Sequence, residues 1–135
     1  MSVVTTEITL KNKADIILAE KGYMKADEIR QMTAQAIVDT GAWTIVINEE
    51  TRDKLGLLDE GYGEATLADG QKADYPMAGP MEIWWKNRRM VCEALVMPDA
   101  PEVLLGRMAL VHMDLMINPQ RELAGVHGDR VIHRV

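Results

Sequence analysis

Phenylalanine is absent from the 135 residues, and aromatic side chains supply only 4% of the chain. A core must therefore come from aliphatic residues and from the 10 methionines. These are scattered along the chain, as gap fillers are, rather than clustered as soft-metal ligands would be. Cysteine occurs once, as Cys92, which excludes an intrachain disulfide framework and a cysteine-built zinc site. Cys92 alternates with Met90 and Ala94, which makes it a core position, and no histidine lies near it in sequence to activate a thiolate. Ser2 is the sole serine, so a serine triad is excluded. The three histidines, His112, His127 and His133, show no i,i+4 pair, and no metal site is expected from them.

Basic charge is also short. Fifteen Lys and Arg stand against 21 Asp and Glu, a net charge of -6. That balance argues against broad nucleic-acid or anionic-membrane binding, which needs a basic field. The basic cluster Lys86, Arg88 and Arg89 beside Trp84 and Trp85 is accordingly read as a solvated hairpin turn, with one of the two tryptophans buried. No apolar run approaches the roughly 20 residues of a membrane helix. The first seven residues carry neither the basic nor the apolar part of a signal peptide, so the expectation is a soluble, cytoplasmic protein. No linker, repeat or low-complexity stretch divides the chain, and residues 1–135 are expected to form one domain.

What is present is a series of short alternating segments separated by turn residues. Residues 7–11 alternate, and Asn12-Lys13 is read as a turn into a second strand over 14–19. Residues 27–36 fit helix and strand spacing equally. Residues 36–48 read as a strand, a tight turn at Asp39-Thr40-Gly41, and a second strand. Asn48, with acids in the first turn and Gly56 as stop, predicts a short helix over 48–55. Residues 62–67 and 72–78 predict a hairpin with Asp69-Gly70 at its tip, and 81–85 with 89–97 a second. Val103-Leu104-Leu105-Gly106 is a short buried segment leading into a helix over 107–113. Asp114 caps or pairs at its end. Residues 115–117 stop at Asn118-Pro119-Gln120, and the tail 126–135 is expected to hold at least one more strand. The reading is a mainly β, antiparallel domain with one or two short helices.

The chemically informative segment is Asp39-Thr40-Gly41-Ala42, flanked by Ile37-Val38 and by Thr44-Ile45-Val46. A carboxylate just after an apolar strand sits at the rim of a core, where its titration can be tuned. Thr40 supplies a hydroxyl for a local or cross-subunit hydrogen bond, and Gly41 permits a turn or a close backbone approach.

In these residues the chain resembles the retroviral-type (retropepsin-like) aspartic proteases. Residues 36–42 match that family's catalytic loop, and Val103-Leu104-Leu105-Gly106-Arg107 looks like its second signature, two apolar residues and a glycine before a helix. Residues 62–78 stand where the family has its flap hairpin, and residues 81–97 fall at the next hairpin. The resemblance spans residues of about 30–123. It implies a closed, barrel-like retropepsin fold, one lobe per chain, with Leu104, Leu105 and Gly106 packed under the Asp39 loop. It also implies a homodimeric aspartic endopeptidase acting on peptides or proteins, with Asp39 catalytic, no metal and no cofactor. Trp43, Asp69 and Gly70 would contact substrate, and Arg107 would support the loop. Independently, peptide hydrolysis by carboxylates needs one group to accept a proton and one to donate it. A chain with a single Asp-Thr-Gly supplies one of them, and a two-fold dimer supplies the other.

The chain departs from the pattern in three places. Where retroviral members commonly carry an acid that pairs with the second-signature arginine, this chain has Trp43, so Arg107 needs another partner and the pocket is more apolar. The flap tip is Asp69-Gly70-Gln71 rather than glycine-rich. Both ends are longer than the viral pattern, and the first hairpin or the tail is expected to rebuild the terminal dimer sheet. The competing reading is a catalytically weak dimerisation or peptide-binding module on the same fold.

Overall fold

The computed structural model describes residues 3–67 and 69–126. Strand β1 (Val4–Asn12) buries Val4, Ile8, Leu10 and Asn12, all on the same parity, as alternation demands. Here the first expectation fails. Residues Lys13–Glu20 form helix α1, not the second arm of a hairpin. Two features decide it. The Asn12 side chain accepts the Asp15 N–H at 3.0 Å and caps the helix. The same side chain donates to the carbonyls of Leu55 and Gly56 at 2.8 and 3.3 Å, a tertiary tie that local spacing does not reveal. Ile17 and Leu18, expected as strand residues, are each 40% exposed on the helix surface.

A single 3₁₀ turn (Ala26–Glu28) leads to β2 (Gln31–Val38), so the ambiguous stretch resolves mainly as strand. After the Asp39 loop come β3 (Ile45–Ile47) and α2 (Glu49–Leu55). Helix α2 is capped as its sequence requires: Asn48 accepts the Thr51 N–H at 2.8 Å, and Gly56 takes the left-handed C-cap with φ 59. Strands β4 (Leu58–Thr66), β5 (Lys72–Trp85) and β6 (Arg88–Val96) follow as two successive hairpins. Then come β7 (Val103–Leu105), α3 (Arg107–Met113), β8 (Leu115–Ile117) and β9 (Leu123–Gly125). The further strand expected in the tail lies outside the described residues.

Six strands close on themselves in the order β1-β2-β7-β3-β6-β5, with β5 pairing back onto β1 through Thr9↔Trp84 to Asn12↔Met81. Closure removes the sheet edges that would otherwise be open. β4 stands outside the ring and pairs with β5 alone among the described strands. β2 and β3 are not direct partners, although the sequence reads as strand, turn, strand. β7 lies between them, parallel to β2 and antiparallel to β3. The barrel is filled by Ile8, Leu10, Ala36, Ile45, Ile47, Met81, Ile83, Val96 and Leu105. Aliphatic residues thus do the work that the missing phenylalanines would do elsewhere.

The Lys86–Arg89 cluster is a second correction. Trp85 is buried and Trp84 half-buried, as alternation predicts. Arg88, however, is fully buried rather than solvated. Its Nη1 donates to the carbonyls of Met113 and Asp114 at 2.9 and 2.8 Å, and lies 3.6 Å from the Asp114 carboxylate. A cation thereby meets the last carbonyls of α3, where the helix presents unsatisfied acceptors. No helix among the described residues is long and apolar enough to cross a membrane.

Candidate active site

The Asp39 loop is built by the strand on its N-terminal side and by the segment packed beneath it. β2 delivers Asp39 from a buried Val38, and the Asp39 N–H donates to the Leu105 carbonyl at 2.9 Å. The turn closes through the Ala42 N–H on the Asp39 carbonyl at 3.2 Å. Asp39 Oδ1 accepts the Gly41 N–H at 2.9 Å, so one carboxylate oxygen is held by the loop's own backbone. Gly41 does not occupy the left-handed region. A Cβ there would stand 3.2 Å from Asp39 Oδ1, so the reason for glycine is close approach to the carboxylate.

Leu104, Leu105, Gly106 and Arg107 lie under this loop. The N–H groups of Arg107 and Met108 donate to the carbonyls of Ala42 and Trp43, both at 2.9 Å. A Cβ on Gly106 would meet the Thr44 oxygen at 2.3 Å and the Trp43 carbonyl carbon at 2.5 Å. Two backbones therefore touch at Gly106, and only glycine allows it.

The loop separates two hollows. One, a cleft of about 480 Å³, is walled by Gly41–Thr44, Val46, Leu95, Met97, Leu104 and Arg107, and by residues 64–67 of the flap arm. Trp43, 53% exposed, stands in this wall. The Arg107 guanidinium lies 5.8 Å from its ring centroid, so an aromatic face replaces the carboxylate that the family pattern would supply. The other hollow, about 350 Å³, is bordered by Asp39 and Thr40 together with Val3, Val4, Ile37, Val38, Ile117 and Arg121. Thr40 is exposed on that side.

The β4–β5 hairpin reaches the first hollow through its first arm. Glu64, Ala65, Thr66 and Leu67 line the cleft, and these were not singled out from sequence. Strand parity alone would not have found them, because four consecutive residues include both faces of β4; what brings them to the cleft is where the β4–β5 hairpin lies. Asp69 and Gly70 form the exposed tip. Gly70 has φ 84, and the Asp69 carboxylate accepts the Gln71 N–H at 2.9 Å, so it serves the turn.

The outline matches known proteins. A family model described as Aspartyl protease matches residues 28–109. The chain belongs to the aspartyl protease family. Among solved structures, the aspartyl protease fold recurs in EIAV protease complexed with the inhibitor HBY-793. That match has a TM-score of 0.53 and 20% identity, covering 82% of this chain and 86% of that one. The retroviral protease-like domain of Ddi1 from Leishmania major matches with a TM-score of 0.55 and 16% identity, covering 93% and 86%. Identity this low carries the fold: a retropepsin-like closed barrel. No curated protein matches the chain.

The other candidates resolve simply. Burial first, and the charge of Glu93 second, push the Cys92 thiol up to about 12, which suits a packing residue and not a nucleophile. His112 is exposed on α3; His127 and His133 lie outside the described residues. No cluster of three potential metal ligands occurs among the described residues.

Proposed function

We propose that the chain is an aspartic endopeptidase that works as a homodimer, with a water held between Asp39 and Asp39 of the partner subunit. One carboxylate, ionised, takes a proton from the water as its oxygen attacks the scissile carbonyl. The other, protonated, donates to the carbonyl oxygen, giving a gem-diol. Proton return to the amide nitrogen then breaks the C–N bond. No metal or cofactor is required. The observation that carries this reading is the Asp39 loop itself: the Gly41 N–H holds one carboxylate oxygen, the Asp39 N–H is tied to the Leu105 carbonyl, and the loop lies between two hollows. The cleft supports an extended substrate paired with Gly41 and with the flap arm, whose β4 has a strand partner on one side only. The apolar side chains of Val3, Val4, Ile37 and Ile117 beside Asp39 support a second copy seated against that face. Trp43 contributes to a subsite, and the flap segment 63–76, including Asp69 and Gly70, acts as the cover.

The test is cleavage of a peptide library by wild type and by Asp39→Asn across acid and neutral pH, with the oligomer followed by analytical ultracentrifugation. Turnover falls by about four orders of magnitude in the variant. The wild-type rate is bell-shaped in pH, because only the singly protonated pair holds both a base and an acid. A statine-type compound, whose hydroxyl replaces the attacking water, binds wild type more tightly than the variant. A second reading, a catalytically weak retropepsin-fold dimerisation or peptide-binding module, is favoured by one observation: the Asp69 carboxylate is engaged by its own turn. Peptide binding without cleavage by either protein would establish it. A monomer with full activity would overturn the shared site.

A further inference from the structure

Within the cleft the charged groups are unequally placed. Glu64 and Arg107 are the ionisable side chains among its described lining residues. Glu64 has Lys72 at 3.5 Å across the flap hairpin. Among the described residues no carboxylate lies within ion-pairing distance of Arg107, whose guanidinium stands over the face of Trp43 at 5.8 Å. A guanidinium stacked on an aromatic face keeps its plane fixed and its N–H edge open. That edge is the part that binds a carboxylate with two parallel hydrogen bonds. The neighbouring wall is apolar, with Val46, Leu95 and Leu104, so a charge pair formed there is screened less than one in bulk water.

We infer that Arg107 and Trp43 form a subsite for a carboxylate of an extended peptide, namely the side chain of a substrate Glu or Asp. Trp43 covers the stem of the acidic side chain, and Arg107 holds its carboxylate. In a two-fold dimer the subsite is repeated on the other side of the Asp39 pair, so acidic residues are favoured on both sides of the scissile bond. This deepens the protease reading and rests on it only for the word substrate; the binding step needs no turnover.

The experiment uses the full chain with Asp39→Asn, which binds without cutting, and N-acetylated, C-terminally amidated octapeptide pools. Each pool fixes Glu or Gln at one position. Fluorescence anisotropy should show Glu pools at one or more positions binding roughly tenfold to a hundredfold tighter than the matched Gln pools. Arg107→Gln added to this background should remove the difference, and Arg107→Glu should shift the preference to Lys pools. That inversion cannot come from a misfolded variant. Free-acid pools distinguish the source of the carboxylate: tighter binding that depends only on the C-terminal carboxylate overturns the side-chain assignment. Equal binding of Glu and Gln pools, no binding of any pool, or a preference that survives Arg107→Gln also overturns it. Wild-type cleavage is read separately. Cleavage with no Glu preference sinks the subsite alone, and Glu preference with no cleavage sinks the protease reading alone.

Discussion

The Asp39 loop and the flap arm face each other across one cleft, yet they are held in different ways. The loop is tied by backbone hydrogen bonds from Asp39, Arg107 and Met108, and Gly106 presses its backbone against Trp43 and Thr44. Strand β4 is exposed over most of its length and has a single strand partner among the described residues. At Gly63 a Cβ would stand 2.7 Å from Met77 Sδ and 2.9 Å from Leu95 Cδ2, both side-chain atoms. A reacting carboxylate gains from being positioned before substrate arrives, whereas a cover has to open. The difference in anchoring is what the proposed roles of Asp39 and of residues 63–76 call for.

The comparison breaks most sharply at glycine. Gly106→Ala places a methyl against backbone that cannot move without displacing the Asp39 loop. It should cost about 3 kcal/mol, read as a lower urea midpoint, and activity should fall further than stability explains. Gly70→Ala, in contrast, meets nothing within 4 Å and pays only for its φ of 84, about 1 kcal/mol. Equal losses from the two substitutions would show that the loop and the tip are equally constrained.

Acid provides a second contrast, because the barrel side carries an anchored carboxylate. Asp15 is buried and accepts from Arg30 Nε at 2.8 Å, Nη2 at 2.9 Å and the Arg30 backbone N–H at 3.0 Å. The Arg30 side-chain hydrogen bonds, outweighing burial, hold its carboxyl below 3.8. A lowered folded value means stability that is fully present above 3.8 and is lost as pH falls through the folded value. Asp15→Asn should lower stability at neutral pH and flatten the acid limb of a urea-midpoint profile. An unchanged limb would remove Asp15 from the account. Glu82 acts in the same direction: burial opposes its ionisation, but Lys13, Trp84 and Arg89 together hold its carboxyl below the usual value.

Hydrogen exchange sharpens the comparison without substitution. Amides of Gly70 and Gln71, bonded only within the tip turn, should exchange much faster than those of Ala36 and Val38 inside the barrel. A peptide-like inhibitor should slow the tip selectively. The smallest effect belongs to the flap ion pair Glu64–Lys72, whose side chains are 58% and 67% exposed. Lys72→Ala should change stability by about 0.5 kcal/mol or less, within the range of exposed pairs.

Local chemistry made several features legible in the chain itself. The Asn48 cap and Gly56 stop of α2 and the Asp69-Gly70 tip each follow from contacts within a few residues. The Asp39-Thr40-Gly41 motif, with its second signature, was likewise readable, and the fold it implies is the one observed. Residues 13–20 were not: Ala-Asp-Ile-Ile-Leu-Ala fits a short strand or a short helix, and the local Asn12 cap is joined by a tie from the same side chain to Leu55 and Gly56, more than 40 positions away. Arg88 was misread for the same reason, since the carbonyls that bury it belong to α3. The insertion of β7 between β2 and β3, the closure of β5 on β1, and the placing of residues 64–67 over the cleft were also tertiary decisions. Each joins segments far apart in sequence, and the free energy of such contacts depends on which backbones meet, a quantity that periodicity along one segment does not contain.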